Sequence, residues 1–344
     1  MDGAGRTCWV VTDGKIGMEN QCRGLAEALG LAPVLKRIVV RRPWRWLQPM
    51  LTLDALASLS PAGDRLAPSW PDLVIASGRQ SVAPALALRR AARRAGHPVR
   101  LVQLQDPGVD PARFDLVIVP AHDALCGPNV LATTGALHRI DAGKLAEAGA
   151  RFAARYAALP RPLVAVLVGG ANRAFRFDAA AAGRLGALLR QLTEADGAGL
   201  AVTTSRRTPP AATAALRGAL EGAPADIWDG DGDNPYFGLL ALADAVVATG
   251  DSVNMVSEAL ATGRPVHVFD LPGESAKFGR FHRALRNAGL TRPFAGRLER
   301  WTYDPPDDMR RAVAAVERLF APAAPDGPHR GSDGMTASEP RTAR

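Results

Sequence analysis

Short apolar runs alternate with longer Ala/Leu/Arg-rich stretches along nearly the whole chain, and the alternation restarts after Leu159-Pro160-Arg161-Pro162. Residues 8–12, 34–40, 73–76, 99–104 and 116–119 read as strands, with helices at 19–29, 82–95 and 142–158. Beyond the prolines, strands at 163–168, 200–204, 227–228, 245–248 and 266–269 interleave with helices at 178–192, 209–220, 235–242 and 252–261. Strands that alternate with helices build βαβ units and parallel sheets. The expected fold is α/β: two doubly wound Rossmann-like domains facing a cleft, over residues 1–160 and 161–322. A last helix at 307–319 precedes 323–344, a Pro/Gly/Ser/Thr-rich stretch without aromatics that composition predicts to be a disordered tail.

At 344 residues and 47% hydrophobic, the chain is long enough for two cores. Its longest apolar runs, such as 163–168, fall far short of the ~18 residues that span a bilayer. The first residues have neither the basic region nor the long apolar region of a secretory signal, which predicts a cytoplasmic protein. Cys8, Cys22 and Cys126, without CxxC spacing, suit reduced thiols. The net charge of +8 is uneven: residues 1–160 carry 20 basic and 13 acidic side chains, whereas 161–344 carry 22 and 21. A basic first half points to an anionic partner, be it a phospholipid surface, a nucleic acid or an acidic substrate.

Doubly wound folds bind ligands beyond the carboxyl ends of their strands. In the first half, Thr12-Asp13-Gly14-Lys15-Ile16-Gly17 follows the first strand and opens a helix. Gly14 and Gly17 let the backbone approach an anion at the helix N-terminus, and Asp13 can serve as a general base; a plain tight βα turn would explain the same residues. Ser77-Gly78-Arg79-Gln80-Ser81 repeats the arrangement, and Gln103-Leu104-Gln105-Asp106-Pro107 ends the next strand with a second candidate base, Asp106. Together these three polar strand ends, with Lys15, Arg79 and Gln80, form a candidate acceptor pocket.

In the second half, Val168-Gly169-Gly170-Ala171-Asn172 follows the first strand. Arg206 and Arg207 stand beside the N-terminus of a helix that Pro209 enters, and both features favour a diphosphate, although solvated surface arginines are the plainer alternative. The segment from Thr249 to Val266 runs strand, turn, helix, Gly stop and strand; Ser252 opens its helix, and Ser257-Glu258 lie about one and a half turns beyond the loop. Asp229-Gly230-Asp231-Gly232-Asp233-Asn234 resembles a calcium loop, but Leu240 stands where the closing Glu belongs, and no metal is expected.

Gly169, Gly170, Ser257, Glu258, Gly263 and Pro265 resemble the donor domain of GT-B nucleotide-sugar glycosyltransferases, above all the membrane-surface N-acetylglucosaminyltransferase of peptidoglycan lipid-intermediate synthesis. That resemblance covers residues 163–290 and implies that Glu258 holds the nucleotide ribose. Across its whole length the chain resembles the mitochondrial-fission elongate-mitochondria family, whose bacterial members are described as candidate glycosyltransferases. The runs TDGKIGMENQCRGLAEALG, SGRQSVAPAL, QLQDP, FDLVIVPAHD, VGGANRAFRFD, TTSRRTP and TGDSVNMVSEALATGRPV carry it. Asp13 and Lys15 stand where GT-B enzymes often place a His.

Arg41-Arg42-Pro43-Trp44-Arg45-Trp46 interleaves cations with indoles, as at a membrane interface or a stacking surface, although tryptophans packed into the first core would look the same. The resemblance implies a transferase. Gly169, Gly170, Asn172, Arg206, Arg207, Ser252, Ser257 and Glu258 would bind a nucleotide-diphosphate sugar as donor, with no cofactor. Asp13 or Asp106 would activate a membrane-associated acceptor, with no nucleic acid as partner. The alternative is a non-catalytic adaptor on the same scaffold, docking to a membrane or protein.

Overall fold

The computed structural model describes residues 5–42, 44–47 and 55–322; the expected tail at 323–344 lies outside these, as do Pro43 and residues 48–54. The first sheet comprises β1 (Cys8–Thr12), β2 (Val34–Arg37), β3 (Leu73–Ser77), β4 (Arg100–Leu104), β5 (Leu116–Pro120) and β6 (Val130–Thr133). Its strands are parallel and ordered β2-β1-β3-β4-β5-β6. The second holds β7 (Leu163–Leu167), β8 (Gly199–Thr203), β9 (Ala225–Trp228), β10 (Ala245–Thr249), β11 (Val266–Phe269) and β12 (Thr291–Pro293). These too are parallel, ordered β12-β11-β10-β7-β8-β9. The two doubly wound domains expected from the alternation are present.

The strands form where they do because a parallel sheet is covered on both faces and therefore needs unbroken apolar runs. Every residue of β1, β3, β5, β7, β8 and β10 is buried. Alternate side chains feed opposite cores: Val10 and Ile75 one side of the first sheet, Val11 and Val74 the other. In the second sheet Leu167 and Val246 face one core, Val166 and Val247 its counterpart. The helices are α1 (Ile16–Ala28), α2 (Trp44–Leu47), α3 (Val82–Arg94), α4 (Ala142–Tyr156) and α5 (Ala179–Asp196), followed by α6 (Pro210–Ala219), α7 (Tyr236–Leu242), α8 (Val253–Leu260), α9 (Ala276–Asn287) and α10 (Asp308–Arg318). Among the described residues, no helix is long and apolar enough to cross a membrane.

Two helices carry the chain between the domains. Phe152 and Tyr156 of α4 join the core of the second sheet, whereas Ala312, Ala315 and Val316 of α10 join Leu25 and Ala26 of α1 under the first. Asp308 fixes that return, its carboxylate accepting from Thr134 N and Gly135 N at 3.0 Å each. In space the chain thus passes between the two sheets twice.

The strand expected over 34–40 stops at Arg37. Beyond it the backbone leaves the β1 register and pairs with 58–64, through Ser60 N to Val39 O (2.7 Å) and Asp64 N to Arg37 O (2.9 Å). β6 and β12 escaped the sequence reading because these short edge strands of four and three residues are half-exposed and carry no apolar period.

Candidate functional site

Strand order reverses between β1 and β3 in the first sheet and between β7 and β10 in the second. At such switch points successive helices leave on opposite faces and open a crevice at the carboxyl ends of the strands. The loops singled out in the sequence lie there. The β1–α1 loop carries Asp13, Gly14, Lys15 and Gly17, and the β3–α3 loop carries Arg79 and Gln80. The β7–α5 loop carries Gly169, Gly170 and Asn172, and Ser252 ends the β10–α8 turn.

The two crevices meet. A Cβ at Gly17 would lie 2.4 Å from Asn254 Nδ2 on α8, so the two domains approach closely there. Beside it, Gln21 Nε2 donates to Asn254 Oδ1 at 2.8 Å. The junction is also pinned at Ser257, whose buried hydroxyl accepts from Ala136 N at 2.9 Å and donates to Val253 O at 2.8 Å. On the flank, Arg280 Nε donates to His122 O (3.1 Å) and Lys277 pairs with Asp123 (2.6 Å).

Asp251, absent from the sequence-derived set, organises the second-domain loops. Its carboxylate is fully buried and accepts from Gly170 N (3.0 Å), Thr249 Oγ1 (2.6 Å) and Arg207 Nη2 (2.7 Å). Thr249 Oγ1 in turn accepts from Gly169 N at 2.8 Å. Asn172 completes the loop: Nδ2 donates to Asp251 O (3.1 Å), while Oδ1 accepts from Ala174 N and Phe175 N (2.8 and 2.9 Å). A burial that deep is tolerable for a carboxylate only because each oxygen is hydrogen-bonded and one faces a guanidinium. The available sequence signal was an acidic residue directly after the Gly that follows β10.

A cleft of about 960 Å³ opens beside these loops. Val168, Thr204, Ser205 and Arg206 line it from the β7 and β8 ends, Trp228, Tyr236 and Glu258 from farther along, and Ile16 and Asn20 from α1. α8 forms because Ser252 caps it, accepting from Met255 N at 3.3 Å, and because Val256, Ala259 and Leu260 bury one face. Glu258 is held by that rigid helix, only 9% exposed, with Oε2 accepting from the Tyr236 hydroxyl at 2.6 Å. Burial pushes its carboxyl up to about 7, against the opposing effect of the Tyr236 hydrogen bond. The Tyr236 hydroxyl is pushed up as well, by burial and by the neighbouring carboxylate. Tyr236 was not foreseen; an aromatic one residue into the helix after Asn234-Pro235 was its only trace.

Four sequence assignments change. Asp106 is exposed, closes a turn by accepting from Gly108 N at 2.8 Å, and lines neither pocket. Ser257 faces the first domain rather than the cleft. Arg207 is drawn onto Asp251 and the Gly170 carbonyl (3.3 Å), which makes it a clamp of the glycine loop, while Arg206 reaches the cleft. Asn172 spends its amide on the backbone of its own loop and on Asp251. By contrast, Asp13, Lys15, Arg79 and Gln80 come together around a second pocket. Ser257→Ala is expected to cost about 1 kcal/mol, since it strips the Ala136 N–H of its buried acceptor; a thermal melt 2–4 °C lower would register this.

Two parallel sheets of six strands, meeting at their switch points, with glycine loops at one and a buried Glu on the helix beyond, define a two-domain protein of the GT-B type. Residues 16–320 match the mitochondrial fission ELM1 family, and the chain belongs to that family. The mitochondrial fission protein ELM1 of Arabidopsis thaliana is 30% identical over 394 residues, covering 92% of this chain and 91% of its own. Among solved structures, the UDP-GlcNAc 2-epimerase of Methanocaldococcus jannaschii, in complex with UDP-GlcNAc and UDP, is similar with a TM-score of 0.51 at 11% identity, covering 91% of this chain and 99% of its own. MurG of Acinetobacter baumannii is similar with a TM-score of 0.50 at 14% identity, covering 92% and 90%.

Proposed function

We propose that the protein binds a nucleoside-diphosphate sugar in the cleft of the second domain and transfers its sugar to a hydroxyl presented from the first. The observation that carries this reading is Glu258, a buried carboxylate on a capped helix in the wall of a cleft of about 960 Å³. A carboxylate so placed accepts hydrogen bonds from a vicinal diol such as a ribose edge. Trp228 and Tyr236 offer flat apolar surface for a base, and Arg206 offers charge for a diphosphate. The solved epimerase that resembles this chain was captured with UDP-GlcNAc and UDP, which supports a nucleotide of that chemistry here.

In the transfer, the acceptor hydroxyl loses its proton to Asp13 as its oxygen bonds to the anomeric carbon, and the bond from that carbon to the diphosphate breaks. The leaving diphosphate takes the electron pair and is stabilised by Arg206. Asp13 suits the role: its side chain is 7% exposed, Oδ2 pairs with Lys15 at 2.6 Å and Oδ1 has no hydrogen-bond partner. The exposed Trp44 and Trp46 with Arg41 and Arg42 support peripheral contact with an anionic membrane that would bring the acceptor.

A thermal-shift screen with UDP, GDP and CMP sugars tests the reading. One nucleotide should stabilise the protein and Glu258→Ala should erase the shift. A shift that survives the substitution would remove Glu258 from the site. The adaptor reading is favoured by the name of the Arabidopsis relative, a mitochondrial fission protein. It gains if no nucleotide stabilises the chain while anionic vesicles bind it.

A further inference from the structure

We infer that the pocket at the switch point of the first sheet is a phosphate-oxyanion site that holds the charged head of the acceptor. The word acceptor rests on the function proposed above; the anion site stands on its own geometry. Among the described residues, four cationic side chains, Lys15, Arg42, Arg79 and Arg173, line a pocket of about 860 Å³, and Asp13 is the one carboxylate. They come from four separate segments: the β1–α1 loop, the turn before α2, the β3–α3 loop and, from the other domain, the β7–α5 loop. A solvated helix face would put its cations on one element, as Arg89, Arg90, Arg93 and Arg94 are on α3. Convergence of cations from four segments on one concavity is different, because it concentrates positive potential where an anion can sit.

Two further observations bear on the ligand. Asp13 is nine-tenths buried in the wall, with one oxygen on Lys15 and the other without a partner, so it awaits a donor such as an acceptor hydroxyl. Trp46, 72% exposed, lies at the pocket with Arg42 stacked over its ring at 5.7 Å. The pocket therefore opens beside the indole and arginine surface suited to a lipid headgroup layer, and its volume suits a ligand larger than a single ion.

The probe for the shared chemistry is inorganic pyrophosphate, titrated into the full chain. The wild type should bind it saturably and more weakly as salt rises. Lys15→Gln with Arg79→Gln should weaken binding more than about tenfold, Arg173→Gln on its exposed loop about threefold or more, and Arg79→Lys least. Absence of pyrophosphate binding by the wild type, or equal binding by wild type and double variant, would overturn the inference. An unchanged UDP titration shows that the double variant is folded. Loss of UDP binding alone, with pyrophosphate retained, would count against the nucleotide reading and not against this site. Phosphatidylcholine vesicles with and without phosphatidylglycerol separate the sources. If anionic vesicles retain the wild type and release the double variant, the phosphate is that of a lipid. If the vesicles do not discriminate while pyrophosphate does, the ligand is a soluble phosphate ester.

Discussion

Glu258→Gln is expected to stabilise the nucleotide-free protein at pH 8 while weakening its hold on a nucleotide. Burial raises the Glu258 carboxyl from 4.5 to about 7, so the folded state retains a proton that the unfolded chain has lost between those values. Stability therefore falls as pH rises through this window: the full contribution of the protonated acid is present below pH 4.5 and gone above about pH 7. The ionised form is worth about 3 kcal/mol less than the neutral one. Glutamine is neutral at every pH, is close in shape, and still offers the Tyr236 hydroxyl an oxygen. Equilibrium unfolding should thus show the variant ahead by up to about 3 kcal/mol at pH 8 and level with wild type near pH 4.5. An equal difference at both pH values would contradict the buried carboxylate. Nucleotide affinity should drop about tenfold or more, because a carboxylate accepts two charge-assisted hydrogen bonds from a diol where an amide offers one neutral acceptor.

Gly170→Ala should be the most damaging single methyl in the site. A Cβ at that position would lie 2.1 Å from Arg207 O, 2.3 Å from its carbonyl carbon and 2.7 Å from Thr208 N. All three are backbone atoms and cannot rotate aside, so one of the two loops must move. That movement breaks the geometry in which Gly170 N and Arg207 share Asp251. The expected cost is about 2–3 kcal/mol, with the nucleotide-induced shift lost alongside. Gly183→Ala is the control: it lies within α5 with nothing within 4 Å of its Cβ position, and should be neutral or stabilising by about 0.5–1 kcal/mol. A melting temperature for Gly170→Ala indistinguishable from that control would show that the loops are not packed as described.

The strand ends were legible because glycine and polar residues interrupt apolar runs there, and a doubly wound fold brings such interruptions to one crevice. Glu258 was legible through its setting, a capped helix between two strands closed by Gly263 and Pro265. What escaped was pairing across the chain. Asp251 looks like any polar turn residue until Gly170 and Arg207 are seen to converge on it from loops about 80 and 44 residues away. Ser257 was read with its neighbour Glu258, yet adjacent helical positions point about 100° apart, which is enough to send one to the cleft and the other to Ala136. Asp106 and Asp13 are alike in sequence, each closing a strand, but only β1 borders the switch point. The basic excess of the first half resolves in part into Lys15, Arg42 and Arg79 around one pocket, joined by Arg173 from the second half.

The most direct test is a calorimetric titration of UDP, with GDP and CMP alongside, into the wild-type full chain and into Glu258→Ala. The account predicts one saturable site in the wild type for one of these nucleotides, lost in Glu258→Ala and kept in the Lys15→Gln, Arg79→Gln double variant. No binding of any of the three, or binding that Glu258→Ala leaves unchanged, would contradict it.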